Sequence, residues 1–163
     1  MLDHVAKQQV ELTPNTKEST TGFYLPHHAV KKECRGKIKW RRVFEASTSE
    51  GNSPSLNDVL EIGQNLLPEV LVTLLSFREQ PVAIIGDIQQ TFLQLFLDRK
   101  DRDLTPFLWF RISQDDKSNH KTNEVVICRF TRLPFVLTCS PFLLSASVRE
   151  LARCSEGYSK AGP

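Results

Sequence analysis

Two early stretches of the chain, residues 22–30 and 39–46, concentrate aromatic and aliphatic residues. Their composition is typical of β-strands, and Pro26 favours an edge position for the first. A basic turn over residues 31–38 separates the two stretches. Together they predict an antiparallel hairpin with a basic tip.

A helical pattern follows the polar loop predicted at residues 47–55. Apolar residues recur there at spacings of three, four, seven and eight, which gives a helix one apolar face. These residues are Leu67, Val70, Leu71, Leu74 and Leu75. Pro68 stands near the start of the pattern, where proline is favoured. The pattern ends before Pro81, because the residue preceding a proline is pushed out of helical geometry.

Residues 82–88 form a short, mostly β-branched run that carries a single carboxylate, Asp87. Such a run predicts a strand buried on both faces. Residues 92–97 continue as an apolar turn or short helix. Two further runs, residues 106–112 and 124–130, predict the strands of a second hairpin with a polar loop between them.

The last predicted helix begins at Ser140 and Pro141, where the serine is expected to cap it. Its apolar face holds Leu144, Val148 and Leu151. The order of elements is therefore hairpin, helix, strand, hairpin, helix. This order indicates the α+β class, with an antiparallel sheet and packed helices.

The chain has 163 residues, which is enough for one compact domain. We predict that residues 22–154 form this domain. Residues 1–21 are mostly polar and are predicted to be a poorly ordered N-terminal segment. Residues 155–163 carry no clear pattern and are predicted to be a truncated tail.

The composition, 40% hydrophobic and 25% charged, is that of a globular protein. The four cysteines form no Cys-x-x-Cys pair and follow no secretory signal, so we expect reduced thiols in an intracellular protein. Cys128 and Cys139 are interpreted as small core residues. Cytoplasmic location is the default expectation. The apolar runs are too short to span a bilayer, so no membrane partner is expected.

Basic residues cluster within residues 31–42, although the net charge of the chain is only +2. The cluster consists of Lys31, Lys32, Arg35, Lys37, Lys39, Arg41 and Arg42. Such a cluster creates a positive field that attracts phosphates. A solvated basic edge is an equally simple interpretation. The sequence alone leaves both open.

Asp87 is the strongest single candidate for chemistry. A carboxylate in an apolar strand is costly to bury unless it is compensated, and a magnesium ion takes carboxylate oxygens. An exposed aspartate that caps the following turn is the alternative.

Arg41 and the lysines before it offer donors for a triphosphate. His27 and His28 are interpreted as structural or surface residues, because neighbours on a strand point to opposite faces.

Several motifs, taken in order, resemble one family. Residues 24–30, 41–47 and 55–58 resemble the fingers region of BEL/Pao retrotransposon reverse transcriptases. Residues 86–92, Gly-Asp-Ile-Gln-Gln-Thr-Phe, resemble polymerase motif A, and residues 131–144 resemble motif B. The resemblance implies a partial right-hand polymerase, with fingers and an incomplete palm. Its partners would be an RNA or DNA template-primer and deoxynucleoside triphosphates.

The resemblance also implies roles for individual residues. Asp87 matches the first catalytic aspartate, a ligand for Mg²⁺ or Mn²⁺. Phe92 matches the steric gate against a ribose 2′-hydroxyl, and Phe135 matches a position beside the nucleotide sugar. Arg41 matches the fingers arginine that contacts the triphosphate, and either Lys31 or Lys32 matches the fingers lysine.

The chain departs from the family pattern at Val136, where glycine is usual, and at Glu45, where aspartate is more usual. No aromatic-x-Asp-Asp motif occurs in the 163 residues. With Asp87 as the only matched metal ligand, two cations would be under-neutralised, so we expect this fragment of a transposon polyprotein to be inactive. A non-catalytic nucleic-acid-binding remnant that uses the basic hairpin, residues 31–42, is the alternative. A fragment that does not fold stably is a third.

Overall fold

The computed structural model describes residues 2–13, 23–34, 36–49, 51–79, 81–114 and 121–159. Its helices are α1 (Leu2–Ala6), α2 (Leu56–Val59), α3 (Val70–Glu79) and α4 (Ser140–Ser159), with single 3₁₀ turns at Thr91–Gln94 and Arg102–Leu104. Its strands are β1 (Val10–Leu12), β2 (His27–Cys34), β3 (Lys37–Phe44), β4 (Pro106–Gln114) and β5 (Lys121–Phe130). The mixture of helices and antiparallel sheets agrees with the predicted α+β class.

The first hairpin is formed by β2 and β3, as predicted. The two strands pair in antiparallel register from His27 opposite Phe44 to Cys34 opposite Lys37. Gly36 in the connecting turn has a φ of 71°, a left-handed value that glycine adopts without a steric penalty. Arg35 lies outside the described residues.

The second predicted hairpin is also confirmed, and it belongs to a three-stranded sheet in the order β1-β5-β4. β4 and β5 pair from Pro106 opposite Arg129 to Gln114 opposite Lys121. The tip of this hairpin, residues 115–120, lies outside the part of the chain that the structure describes. The basic hairpin forms a separate two-stranded sheet.

The described part of the predicted N-terminal segment, residues 2–13, contains α1 and β1. β1 pairs with β5, and its Val10 is only 4% exposed. The Glu11 carboxylate lies 2.7 Å from the Arg129 guanidinium, which also binds Asp103. A three-residue strand carries too little alternation to be predicted, and it forms because β5 supplies its hydrogen bonds. Residues 14–22 lie outside the described ranges.

The core lies where the bases of the two hairpins meet. Phe44 of β3 packs edge-on against Phe107 of β4 and Phe130 of β5, with ring centroids 4.9 Å apart in both pairs. The buried apolar residues around this cluster are Val10, Leu25, Ala46, Leu56, Cys128, Leu133 and Leu137. Aromatic pairs of this geometry add to the free energy gained from burial. They fix the basic hairpin against the three-stranded sheet.

Residues 82–88 contradict the prediction of a buried strand. They adopt no regular structure, and Ile84 and Ile85 are 89% and 84% exposed. A strand needs a neighbour to bind its backbone N–H and C=O groups, and no described strand pairs with this segment. The preceding helix α3 forms between the two prolines as predicted, yet none of its residues is buried.

Helix α4 packs against the irregular segment that precedes α3. Gly63 allows this approach, because a Cβ atom at this position would lie 2.4 Å from Cγ of Phe142. Its φ of 78° is also left-handed. Within the described residues, no helix combines the length and the apolar character needed to cross a membrane.

Candidate nucleotide site

Three segments that are distant in sequence meet around a cavity of about 530 Å³. β3 contributes residues 42–44, the turn after Asp87 contributes residues 90–93, and the loop before α4 contributes residues 134–136. The full lining is His4, Arg42, Val43, Phe44, Gln90, Thr91, Phe92, Leu93, Phe130, Pro134, Phe135 and Val136. Its wall is mainly apolar and includes a basic residue, Arg42 of β3. Such a wall suits a ligand with a flat apolar part and an anionic part.

Two predicted nucleotide-binding residues contact each other at this cavity. The rings of Phe92 and Phe135 lie 5.0 Å apart at 70°, an edge-to-face arrangement. Phe92 also packs against the core, whereas Phe135 is 74% exposed. The core therefore fixes the ring of Phe92, whereas most of the ring of Phe135 is exposed to solvent.

Arg42 is the basic residue that β3 directs to the cavity. Its guanidinium lies 5.6 Å from the ring centroid of Trp109 on β4, a cation–π distance. His27 stacks on the same indole, with centroids 5.3 Å apart and planes at 24°. The Trp109 ring thus fixes the direction of Arg42 from across the two hairpins.

The other predicted basic residues do not reach the cavity. Arg41 is exposed and lies outside the cavity lining, although Val43, on the same face of β3, belongs to it. Lys32 shares this face, because it lies opposite Lys39 in the hairpin register. Lys31 lies on the same face as Arg42 but nearer the tip, opposite Trp40. The resemblance assigned Arg41 to the triphosphate, whereas the cavity lining contains Arg42 and not Arg41.

Asp87 is exposed and lies outside the cavity lining, three residues before Gln90. Among the described residues, no group of three His, Cys, Asp or Glu side chains could hold a metal ion. A magnesium ion commonly takes one or two carboxylates together with substrate phosphates, whereas two adjacent cations need more negative charge than one carboxylate supplies. The described residues therefore do not fit a two-metal centre, and no catalytic step follows from them.

The turn after Asp87 holds a residue in an unfavourable backbone conformation. Gln90 has a φ of 52°, in the left-handed region that residues with a Cβ seldom occupy. Its side chain accepts a hydrogen bond from the buried Gln9 at 3.0 Å. The Thr91 hydroxyl donates to the carbonyl of Ile88 at 2.6 Å, which closes the turn. Strain of this kind is maintained where surrounding contacts over-determine it, and it is frequent at binding sites.

Asn57 holds the loop that carries Phe135, a role that the sequence did not reveal. Its side-chain oxygen accepts from the backbone N–H of Thr138 at 2.9 Å. Its side-chain nitrogen donates to the carbonyl of Val136 at 3.1 Å and to the hydroxyl of Ser47 at 2.8 Å. One amide therefore satisfies backbone groups on both sides of Leu137.

The orientation of Asn57 depends on the short helix α2. Ser55 and Asp58 form a capping box, in which each side chain binds the backbone N–H of the other residue. The pKa of Asp58 is lowered, first by the hydrogen bond from the Ser55 side chain and then by the one from its backbone. The sequence pattern Ser-x-x-Asp predicts a helix cap. The hydrogen-bond partners of Asn57 are distant in sequence, so no local pattern predicts them.

Ser140 fixes the other end of the same loop. Its hydroxyl donates to the carbonyl of Pro134 at 2.7 Å, and the residue is completely buried. This contact ties the start of α4 to the loop that carries Phe135. The helix does begin at Ser140, as predicted.

Val136 lines the cavity without strain in its backbone. Among the described residues other than glycine, only Gln8 and Gln90 have a left-handed φ. The side chain of Val136 packs against the core. Relative to the glycine expected from the family pattern, valine therefore occupies volume beside the cavity.

The described thiols fit the interpretation of Cys128 and Cys139 as packing residues. Burial raises the pKa of both, which disfavours the reactive thiolate. The thiols of Cys128, Cys139 and Cys154 are free.

The pKa of His27 predicts a dependence of stability on pH. Burial is the main cause that lowers this pKa below its ordinary value of 6.5, with the nearby Arg42 and His28 charges acting in the same direction. The folded state thus binds fewer protons than the unfolded state between the lowered pKa and 6.5. Stability should therefore rise with pH through this window and gain nothing further from His27 above 6.5.

Thermal unfolding measured from pH 5 to pH 8 checks this expectation. In a His27→Phe variant, which keeps an aromatic ring against Trp109, the rise between acid and neutral pH should be smaller than in the native chain. An equal rise in both proteins would assign the effect to other groups.

A scan against protein-family models finds none that matches the chain, and a search of curated proteins finds no matching relative. The resemblance to BEL/Pao reverse transcriptases therefore rests on the sequence motifs alone.

Proposed function

We propose that this chain is the fingers region and part of the palm of an RNA-directed DNA polymerase of the BEL/Pao retrotransposon type, and that its cavity is the seat of a deoxynucleoside triphosphate. The observation that supports this most is the contact between Phe92 and Phe135 at 5.0 Å. The resemblance assigns these rings to motifs A and B, and 43 residues separate them in sequence. Their contact in one cavity is the arrangement that a shared nucleotide site requires.

The chemistry of the lining supports the same ligand. Phe92 would stand beside C2′ of the sugar and leave no room for a ribose hydroxyl. Phe135 would offer an exposed apolar surface to the sugar and base. Arg42 would bind phosphate oxygens through its guanidinium fork. In this proposal Arg42 takes the role that the resemblance gives to Arg41.

Phosphoryl transfer is not proposed for these 163 residues by themselves. Polymerases of this type use two cations that activate the primer hydroxyl and stabilise the leaving pyrophosphate. Asp87 is the only matched carboxylate, and no described cluster of His, Cys, Asp or Glu accompanies it. The proposal for this chain is therefore nucleotide binding, and incorporation belongs to the parent enzyme with Mg²⁺ or Mn²⁺ bound.

Removal of single charges tests the placement of the triphosphate. Arg42→Gln should weaken the binding of dATP by about 10- to 100-fold, since charge-assisted hydrogen bonds contribute about 1.5–3 kcal/mol. Arg41→Gln is the matched control, because it removes the same charge from a neighbouring residue outside the cavity lining, and it should change the affinity by less than about 3-fold. Isothermal titration calorimetry measures both. A larger loss in Arg41→Gln would reverse the assignment.

A second function, the binding of nucleic acid by the basic hairpin, is favoured by one observation. No ion pair among the described residues engages Lys31, Lys32, Lys39 or Arg41. All four are exposed. Free cations on one ribbon attract the phosphate backbone, and the affinity falls steeply as salt rises. Binding that ignores salt would remove this function.

A further inference from the structure

The outer half of the basic hairpin carries an exposed indole. Trp40 on β3 is 64% exposed. The other tryptophan of the chain, Trp109, is half-buried and is covered by His27 and Arg42. Packing between the two hairpins thus reaches Arg42 and does not cover Trp40.

The hairpin register places several cations around this indole, and Glu33, opposite Ile38, also projects from the same face. Lys31 lies directly opposite Trp40, so their side chains project from the same face. Arg42 projects from that face two residues farther along β3, towards the core. Lys39 and Arg41 flank Trp40 in sequence and project from the reverse face. The ribbon is thin relative to the Debye length of about 10 Å at 0.1 M salt, so both faces contribute to one positive field.

The combination of an exposed indole and surrounding cations selects one kind of ligand. A nucleobase has an apolar π-face that stacks on an aromatic ring, and its phosphates bind lysine and arginine. In a duplex the faces of the bases are already stacked on each other. An indole that projects from a ribbon therefore reaches the face of a base only in a single strand.

We propose that the outer face of the basic hairpin binds single-stranded nucleic acid, with an unpaired base stacked on Trp40 and flanking phosphates bound by Lys31 and its neighbours. The inference rests on the nucleic-acid binding proposed above. It adds the strandedness of the ligand and the residue that recognises it.

The affinity for a short fluorescein-labelled oligodeoxythymidine, measured by fluorescence anisotropy at low salt, tests this inference. Trp40→Ala should weaken binding by about 10- to 100-fold, the usual effect of removing a stacking side chain. Ile38→Ala is the matched control, because Ile38 lies on the same face of β3 and is 56% exposed. It should change the affinity by less than about 2-fold. Trp40→Phe, which keeps a ring, should retain most of the affinity.

Tryptophan fluorescence provides a readout of stacking itself. Trp109→Phe leaves Trp40 as the sole tryptophan, since the chain has 2. Its emission should be quenched as oligodeoxythymidine is added. Trp40→Phe leaves Trp109 as the reporter, and its emission should change little. Circular dichroism of each variant confirms that the fold is retained.

Different results would overturn different parts of the account. If the native chain binds no oligonucleotide at low salt, the nucleic-acid binding itself fails. If it binds and Trp40→Ala binds equally well, only the stacking role fails. A duplex that binds as tightly as the single strand would overturn the strandedness. If polyglutamate at an equal concentration of charges displaces the oligonucleotide, the face binds anions in general. This result would overturn the recognition of nucleic acid.

Discussion

Replacement of Asn57 by leucine should give the largest loss of stability among single changes around the cavity. The variant loses the three side-chain hydrogen bonds to Ser47, Val136 and Thr138. It also leaves two partly buried backbone groups without these partners, and each such group costs about 1–3 kcal/mol. We therefore expect the free energy of unfolding to fall by about 2–4 kcal/mol. Urea denaturation followed by circular dichroism measures this change.

Two controls separate the role of Asn57 from the general cost of a substitution. Ser47→Ala removes only the exposed contact and should cost less than about 1 kcal/mol. Asn57→Asp keeps an acceptor for the backbone N–H of Thr138 but loses both hydrogen bonds that the amide donates. Its free energy of unfolding should therefore lie between those of Asn57→Leu and Ser47→Ala. If Asn57→Leu costs no more than Ser47→Ala, the loop is held by other contacts, and the assigned role is incorrect.

Truncation of Phe135 should weaken nucleotide binding with little effect on folding. Its ring is 74% exposed, so Phe135→Ala should change the free energy of unfolding by less than about 1 kcal/mol. The affinity for dATP should fall by about 10- to 100-fold, because an aromatic surface that a ligand covers contributes about 1.5–3 kcal/mol. Isothermal titration calorimetry and urea denaturation measure the two effects.

Phe96 provides the matched control for this prediction. It is also a phenylalanine and is 67% exposed, but it lies outside the cavity lining and contacts Arg132 instead. Phe96→Ala should leave the affinity for dATP unchanged within about 2-fold. Equal losses of affinity in both variants would show that the ligand does not occupy the cavity.

The elements that the sequence predicted correctly are those whose signals are local. The basic hairpin follows from two apolar stretches around a polar turn, and helix α3 is bounded by Pro68 and Pro81. Both signals depend only on residues close together in sequence, so they predict the element without knowledge of its distant contacts. The second hairpin has the same kind of signal, and it too was predicted.

The elements that were missed depend on distant partners. Residues 82–88 have the composition of a buried strand, but composition does not specify a neighbour, and no described strand pairs with them. β1 shows the opposite case, since Val10 is buried only because β5 lies beside it. For residues 82–88 and for β1, hydrogen-bonding partners far away in sequence decide whether a strand forms.

The candidate site was predicted in part for the same reason. Phe92 and Phe135 were identified through motifs, and the structure brings them together. The resemblance assigned Arg41 to the triphosphate, whereas the cavity lining contains Arg42 and not Arg41, a distinction that the family pattern does not make. Asn57 lies within the matched residues 55–58, but the family pattern gives it no role. Its role consists of contacts with Val136 and Thr138, about 80 positions away along the chain.

The central claim, that the cavity receives a deoxynucleotide, is tested most directly by comparing dATP and ATP, which differ only in the 2′-hydroxyl. Isothermal titration calorimetry of the native chain should show dATP binding about 10-fold more tightly, because forcing an extra group into a packed site costs about 1–3 kcal/mol. Phe92→Val should reduce this preference, provided that urea denaturation shows the variant to be folded. Equal affinities for the two nucleotides in the native chain, or tighter binding of ATP, would contradict the claim.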